Sequence, residues 1–152
     1  MDLKSLIEDY LKEGKLMQIA TSKENTPWVA SVWFVHDDKL NLFFISTKDR
    51  RHSKEIKENP KVAGTIVIPH LKGSGEKVRG LQFEGIARET NAYEMDLANQ
   101  LYKGKYELAE EIALEELMDP KVTFGYYIIE PKTFVLFDEI NFPDDPRQEL
   151  KV

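Results

Sequence analysis

Residues 28–47, WVASVWFVHDDKLNLFFIST, decide the fold class of this chain. They contain two runs rich in β-branched and aromatic residues, Trp28–Val35 and Leu40–Thr47, and such runs favour extended strands. A short polar turn separates the two runs. A third strand-like run, Lys15–Thr21, precedes them and is joined to Trp28–Val35 by a turn over 23–27. Because the connections are this short, the three segments predict an antiparallel meander.

The rest of the chain alternates strands with helices. The sequence predicts helices over 2–13, 49–58, 91–102 and 106–118, the second of them capped by Asp49. It predicts strands over 61–68, 78–88, 122–130 and 133–139, with Gly80 and Gly85 as bulges or bends, and then a tail rich in Pro and Asp. Short strands in this number must close on themselves or pack on a second sheet to remove exposed edges. The prediction is a single domain over 1–152, mainly β with flanking helices, built on an antiparallel barrel.

Composition excludes several classes of function. The 152 residues include 41% hydrophobic and 32% charged positions, no cysteine, and a net charge of −6. Without cysteine there is no disulfide, iron–sulfur cluster, thiolate zinc site or cysteine nucleophile. The acidic balance argues against broad nucleic-acid binding, which needs clustered Lys and Arg. No apolar run approaches the roughly 20 residues that cross a bilayer, and the start lacks a leader pattern, so we expect a cytoplasmic location and no membrane partner.

Motifs for metals and nucleotide phosphates fail on spacing. His36, His52 and His70 are scattered rather than set at helical metal-ligand spacing, so no metal site is expected. Residues 73–77 (GSGEK) lack the spacing of a P-loop and lead into a strand rather than a helix. We interpret them as a hairpin tip.

Residues 46–54, STKDRRHSK, carry the strongest chemical signal. They place arginines, lysines, an imidazole and hydroxyls where a strand ends and a helix begins, and these donors hold phosphate monoesters. Arginine adds a planar, bidentate fork. The alternative is a solvated, charged helix start in which Asp49 is only a cap, and Asp49 would also repel a phosphate on the helix axis. Spacing alone leaves both interpretations open.

Six segments carry a resemblance to a known family. In chain order they are 27–34 (PWVASVWF), 44–47 (FIST), 50–52 (RRH), 56–62 (IKENPKV), 80–87 (GLQFEGIA) and 141–148 (NFPDDPRQ). Together they resemble the pyridoxamine 5'-phosphate oxidase-like FMN-binding split barrels, and the last segment is similar to the ending of a small, uncharacterised branch. The resemblance covers most of the chain. It implies a split β-barrel homodimer with two equivalent FMN sites at the subunit interface.

The resemblance also implies which residues hold the phosphate. By position, the family's phosphate-binding arginine and lysine fall on Arg51 and His52, and its strand-end hydroxyl falls on Ser46, with Thr47 beside it. Lys54 stands near enough to substitute for the missing lysine. An imidazole at this position makes phosphate binding pH-dependent, because histidine loses its charge near neutrality.

The resemblance places the flavin ring along Ala30, Ser31, Val32 and Trp33. Trp33 either stacks on the ring or packs in the barrel core, since buried aromatic side chains usually serve packing. Gln82 lies two positions along its strand, on the same face, from the family's flavin-contacting glutamine, and is a further expected contact.

Two departures from the family leave the substrate unassigned. The pyridoxamine oxidases have an arginine where this chain has Ala30, and their C-terminal Trp/Arg signature is not recognisable here. The leading hypothesis is therefore an FMN-dependent oxidoreductase acting on an unknown small molecule, with catalytic residues unassigned. The alternative is a binding or sensing protein that holds flavin, deazaflavin or haem without turnover, with His36, His52 or His70 as the haem ligand. A structural barrel without a small ligand is the third hypothesis.

Overall fold

A computed structural model describes residues 2–106 and 123–152, which form three helices and eight strands. In chain order these are α1 (Leu3–Glu13), β1 (Leu16–Lys23), β2 (Thr26–Trp33), β3 (Val35–His36), β4 (Leu42–Thr47), α2 (Arg51–Glu58), β5 (Lys61–Ile66), β6 (Arg79–Glu89), α3 (Ala92–Lys105), β7 (Phe124–Asp138) and β8 (Arg147–Lys151). The predicted helix over 106–118 lies outside the described residues apart from its first position, as does the first position of the predicted strand over 122–130.

The eight strands form one antiparallel sheet. Their order is β2-β1-β5-β6-β7-β4-β3, and β8 pairs with β7. The sheet curls, so that its two ends approach each other. The Tyr102 hydroxyl of α3 lies near both: its Oη donates to Trp33 O of β2 at 2.9 Å and lies 3.5 Å from Phe43 O of β4. The result is the mainly β, antiparallel half-barrel with flanking helices that the sequence predicts.

The predicted meander is wrong at its third strand. β1 and β2 form the predicted hairpin, but β4 pairs along its length with β7. β4 pairs with the second predicted strand only at Val35, the first residue of β3. Phe34 divides that second strand: its N–H donates to Lys15 O, and its side chain is fully buried. β4 instead gains six consecutive paired positions on β7.

The predicted strands over 122–130 and 133–139 are one strand, β7. Pro131 does not end it, because Pro131 faces Gly85 at the register shift of the β6–β7 ladder. A Cβ on Gly85 would lie 2.8 Å from Pro131 Cα, so only glycine permits this approach. Gly85 therefore marks a bulge as predicted, whereas Gly80 pairs in register with Phe137 and forms none. The tail rich in Pro and Asp, for which the sequence predicts no strand, supplies β8.

The second helix begins later than predicted. Arg50 occupies its N-cap position without a side-chain hydrogen bond, and the helix starts at Arg51. The prediction that Asp49 caps this helix is wrong, because its carboxyl interacts with the Thr47 hydroxyl, which lowers the pKa of Asp49.

The main core lies between the inner face of the sheet and α1. Leu6, Ile7, Tyr10 and Leu11 form the apolar face of α1 and are buried against the sheet. α3 covers part of the opposite face of the sheet, where it packs over a small cluster of residues from β3, β4 and β7: Val35, Phe43 and Ile128. No helix of the described part of the chain is both long and apolar enough to span a bilayer.

The rest of that opposite face is exposed or half-buried. Residues paired across neighbouring strands share one face, so the register assigns its members. We call this surface the outer face and define it by Leu16, Gln18, Val29, Ser31, Trp33, Thr65, Gln82, Glu84 and Val135.

Candidate functional site

The junction between β4 and α2, where the sequence predicts a phosphate site, is fixed by hydrogen bonds. β4 passes from the buried residues Leu42–Phe44 to the half-buried residues Ile45–Thr47. Ser53 Oγ donates to Thr47 O at 2.9 Å and so fastens the first turn of α2 to the strand end. Ile56, on the buried face of α2, belongs to the main core. The site residues of this junction are therefore held on rigid elements.

Ser46 and His52 form a direct pair at this junction. Ser46 Oγ lies 2.7 Å from His52 Nε2, which is the length of a strong hydrogen bond. His52 is only 7% exposed, and its ring lies against the ring of Phe44 with centroids 6.3 Å apart. Burial lowers the pKa of His52, and the positive charge of Arg50 lowers it further. The imidazole is thus mostly neutral at pH 7.

Arg51 turns toward a buried carboxylate. Its Nε donates to Glu55 Oε2 at 2.8 Å, and its guanidinium carbon lies 4.2 Å from the centroid of the Trp28 ring. Glu55 is 3% exposed and accepts a second hydrogen bond from Thr21 Oγ1 at 3.2 Å. Arg51 therefore has a structural role in compensating Glu55. Its two terminal amino groups form no hydrogen bond with the described residues.

Arg51 and Lys54 line one cleft of about 510 Å³. The other lining residues come from the β1–β2 hairpin and from α2 and the turn before it: Lys23, Glu24, Thr26, Asp49, Glu55 and Glu58. Lys23 Nζ is paired with Glu58 at 3.1 Å. A phosphate in this cleft would therefore be attracted by Arg51 and Lys54 and opposed by the neighbouring carboxylates.

The five predicted phosphate residues thus fall into two groups. Ser46, Thr47 and His52 lie at the strand end, whereas Arg51 and Lys54 lie on the cleft. Consecutive helical residues point about 100° apart, which separates Arg51 from His52. Thr47 Oγ1 is buried and makes no hydrogen bond of ordinary geometry with the described residues, although it lies near enough to the Asp49 carboxyl to lower the pKa of that group.

The segment predicted to carry the flavin ring lies on β2, an edge strand. The two-residue turn Glu24–Asn25 has positive φ at both positions, so the flanking residues exchange both hydrogen bonds of the hairpin. Alternation along β2 then points the N–H and C=O groups of Val29 and Ser31 away from β1. Pro27, which has no N–H, falls at another such position, as expected for an edge. β2 therefore offers a row of free main-chain groups to a ligand.

The side chains of this segment divide between two faces. Ala30 and Val32 pair with inward-facing β1 residues and turn toward the core, whereas Ser31 and Trp33 lie on the outer face. Trp33 is 55% exposed and contacts the Tyr106 ring edge-on, with centroids 5.6 Å apart. Of its two predicted roles, packing in the barrel core is therefore wrong. Its indole is available to a ligand or to another chain.

Gln82 lies on the outer face and not at the β4–α2 junction. It pairs with Thr65, which pairs with Gln18, which pairs with Ser31, so the four residues form one row across the sheet. Three strand spacings separate Gln82 from Ser31, or about 14 Å. Gln82 also lines a shallow concavity of about 570 Å³ with residues of β5 to β8, including Arg147. One chain does not bring Gln82 to the β2 edge.

Three residues of this region escaped the sequence analysis: Trp28, Glu55 and Thr21. Local signals in the sequence indicated two of them, Trp28 and Glu55. Trp28 lies two positions before Ala30, and side chains two positions apart in a strand point to the same face. Glu55 follows Arg51 by four residues, the spacing of a helical ion pair. Nothing local indicated Thr21, because its contact with Glu55 joins residues 34 positions apart.

The three histidines occupy separate places. His52 Nε2 contacts Ser46, and His70 Nε2 accepts from the N–H of Arg79 at 3.1 Å. His36 lies on β3 with its Nδ1 buried and without a hydrogen-bond partner in the described part of the chain. Burial lowers the pKa of His36, as does the charge of Lys105. Within residues 2–106 and 123–152 no group of three potential metal ligands occurs.

Comparison with known protein families identifies the family of this chain. The family model described as pyridoxamine 5'-phosphate oxidase matches residues 3–124. The chain belongs to the pyridoxamine 5'-phosphate oxidase-like family. A UPF0306 protein of Pasteurella multocida is 31% identical over 101 residues, which are 66% of each chain. The UPF0306 protein YhbP of Escherichia coli is 27% identical over 137 residues, which cover 83% of this chain and 90% of YhbP.

Solved structures confirm the split-barrel fold of this family member. A haem-binding protein from Mycobacterium smegmatis has a TM-score of 0.73 at 13% identity, covering 91% of this chain, which spans only 53% of that protein. HutZ, a haem storage protein from Vibrio cholerae, has a TM-score of 0.65 at 23% identity, covering 86% and 91%. A putative pyridoxamine 5'-phosphate oxidase from Listeria innocua has a TM-score of 0.65 at 19% identity, covering 89% and 98%.

Proposed function

We propose that this chain binds FMN along the free edge of β2 and acts as a flavin-dependent oxidoreductase on a small molecule. One observation carries the proposal: the edge has free main-chain groups at Val29 and Ser31, and a guanidinium stands at its Trp28 end. Three residues of strand, about 10 Å, separate Ser31 from Trp28. A ribityl chain bridges a separation of this order between a flavin ring and its phosphate.

The donor set fits FMN. Main-chain N–H and C=O groups of an edge strand match the alternating acceptors and donors on the polar edge of a flavin ring. Arg51 keeps its terminal amino groups for a phosphate oxygen after pairing Nε with Glu55, and Lys54 lines the same cleft. Ser46 adds a hydroxyl at the strand end. The carboxylates of the cleft weaken phosphate binding there without removing these donors.

The protein residues supply position and shielding. FMN, when bound, supplies hydride or electron transfer. Val29 and Ser31 orient the ring through their main-chain groups, and Trp33 offers an indole on the outer side of the same strand. The Arg51 guanidinium lies over the Trp28 ring, which limits the rotation of the guanidinium before a phosphate binds.

We further propose that the chain works as a homodimer joined through the outer face. Leu16, Val29 and Trp33 are exposed apolar side chains of that face, and a second copy that covered them would remove their apolar surface from water. A second copy on this face would also provide the Gln82 contact that one chain does not bring to the β2 edge. Light scattering should give a dimer mass, and Val29→Lys should shift it toward the monomer, whereas Lys12→Ala on α1 should not. A monomeric wild type contradicts this part of the proposal.

Titration with FMN and riboflavin tests the flavin site. Flavin fluorescence should be quenched on binding, and Arg51→Ala should weaken FMN by tenfold or more while changing riboflavin by less than about threefold, because only FMN has the phosphate. Lys12→Ala, an exposed cation remote from the site, is the matched control. Equal loss for both ligands would show that Arg51 does not hold the phosphate. No quenching with either ligand would refute flavin binding.

A second function, haem binding without turnover, is favoured by His36. It is the histidine that forms no hydrogen bond with a described residue, and its lowered pKa keeps it neutral, as an iron ligand must be. Two structural neighbours are haem proteins. A Soret band on haem addition that is lost in His36→Ala, and kept in His52→Ala and His70→Ala, would support it. Reduction of bound flavin or deazaflavin by NADH or NADPH would instead support an oxidoreductase.

A further inference from the structure

His52 is more deeply buried than Ser46, the residue with which it pairs. Ser46 Oγ and His52 Nε2 are 2.7 Å apart, yet His52 is 7% exposed whereas Ser46 is only partly buried. Of the two side chains, Ser46 is therefore the one placed to touch a ligand. This arrangement differs from the direct phosphate contact that the family resemblance implies for His52.

The hydroxyl of Ser46 has a single proton to donate, and it accepts with its lone pairs. If His52 carries its proton on Nδ1, Ser46 must donate to Nε2 and has no proton left for a ligand. If His52 carries its proton on Nε2, the ring donates to Ser46 Oγ, and the hydroxyl proton is free. A phosphate oxygen only accepts, so the binding of an anion selects the second arrangement.

The surroundings of His52 disfavour a fixed positive charge on the ring. Burial and Arg50 lower its pKa, and Glu55 opposes them to a smaller extent. Phe44 of β4 faces the ring, and Tyr127 of β7 stacks on Phe44 with centroids 5.0 Å apart. Burial raises the pKa of Tyr127, so it stays neutral. Near neutral pH, His52 therefore acts through its hydrogen bond rather than its charge.

We propose that His52 is a positioning residue that donates from Nε2 to Ser46 Oγ and thereby aims the Ser46 hydroxyl proton at an anionic oxygen of the ligand. The inference rests on the proposed function, in which that oxygen belongs to the phosphate of FMN. It assigns specificity for the phosphate to an oriented hydroxyl at the strand end, while Arg51 and Lys54 supply positive charge from the adjoining cleft.

FMN titrations of four variants test the pairing. Ser46→Ala and His52→Leu should each weaken FMN about tenfold, the effect of losing one hydrogen bond to a charged acceptor. The double variant should be no more than about twofold weaker than either single variant, because both remove the same interaction. His52→Gln should stay within about threefold of the wild type, since its amide N–H replaces the ring N–H. Riboflavin should bind all variants alike.

A pH series distinguishes positioning from direct contact. The ratio of the FMN dissociation constants of wild type and His52→Gln, taken from pH 5.5 to 8, cancels the titration of the phosphate itself. We expect this ratio to change by less than about threefold, because a neutral ring still donates from Nε2. A tenfold rise toward pH 8 would show an imidazolium touching the phosphate and overturn the inference.

Other outcomes also decide it. A His52→Gln variant as weak as His52→Leu, additive losses in the double variant, or an unchanged Ser46→Ala would overturn it. If His52→Leu does not fold, Ser46→Ala and His52→Gln still decide. A wild type that binds no FMN refutes the proposed function and this inference together, whereas FMN binding without the predicted coupling refutes the inference alone.

Discussion

Removing the Arg51 guanidinium should destabilise the fold as well as the ligand site. The Glu55 side chain is 4% exposed and the Arg51 side chain 44%, so the pair is half-buried. Breaking a fully buried ion pair costs about 3–5 kcal/mol, and breaking an exposed pair costs about 0.2–1 kcal/mol. For this intermediate geometry we expect Arg51→Ala to cost about 2 kcal/mol, chiefly because Glu55 keeps only Thr21 as a partner.

Glu55→Gln should cost less than Arg51→Ala. Its amide oxygen accepts from Arg51 Nε, and its amino group donates to Thr21 Oγ1, so both neighbours keep a hydrogen bond, at a cost of about 0–1 kcal/mol. In the Glu55→Gln background no charge is left buried when Arg51 is removed. Arg51→Ala should then cost only about 0.5–1 kcal/mol, the value of its stacking on Trp28.

Urea denaturation followed by circular dichroism measures this double-mutant cycle at pH 7 and moderate salt. We expect a coupling free energy of about 1–1.5 kcal/mol between Arg51 and Glu55, and a melting temperature about 4–8 °C lower for Arg51→Ala. Equal costs of Arg51→Ala in both backgrounds would refute the reasoning. The cycle also corrects the flavin test, because the double variant removes the phosphate donor without leaving Glu55 uncompensated.

Three further predictions concern the fold. Burial lowers the pKa of Lys105 to about 8, with a smaller contribution from the charge of Lys15. Between pH 8 and 10.5 the folded state therefore binds fewer protons than the unfolded state. Over this range the free energy of unfolding of the wild type, measured in urea melts, should rise by about 1–3 kcal/mol relative to that of Lys105→Met. A constant difference would contradict this. Gly85→Ala should cost about 3 kcal/mol or more in thermal melts, since its Cβ would clash with the main-chain oxygen of Glu130, whereas Gly80→Ala should be near neutral. Tyr10→Phe should cost about 1–3 kcal/mol in the same assay, because its hydroxyl joins two main-chain groups of the β5–β6 connection.

Local signals predicted the first hairpin correctly. The prediction of the third strand of the meander is wrong because the pairing of β4 is non-local. Residues 24 and 25 form a tight turn between two runs of alternating polarity, and the structure pairs those runs throughout. The partner of β4 is encoded about 80 residues away in β7. β4 carries apolar residues on both faces because α3 covers one face and the barrel core the other. That pattern indicates a buried strand but does not identify the strand with which it pairs.

The site shows the same limit. The sequence showed that charges and hydroxyls cluster over 46–54, but it did not show which of these side chains contact one another. Whether Ser46 meets His52 depends on the turn between β4 and α2, whose course follows from tertiary packing of Phe44 and Ile56. The ion pair of Arg51 with Glu55 needs only helical spacing and was foreseeable once α2 was placed. Contacts within one element were thus predictable, and contacts across the turn were not.

The free edge of β2 is the feature that calls for a second component. Exposed edges invite pairing with other chains, and proteins usually shorten, charge or cover them. Here the edge is closed at one end by the Tyr102 hydroxyl on Trp33 O and flanked at the other by Arg51 on Trp28. Between these ends it keeps free main-chain groups beside the exposed side chains of Val29 and Trp33. An edge that is protected at both ends and open between them suits a ligand that pairs with its main-chain groups. The flavin titrations test that ligand, and light scattering tests the second copy on the outer face.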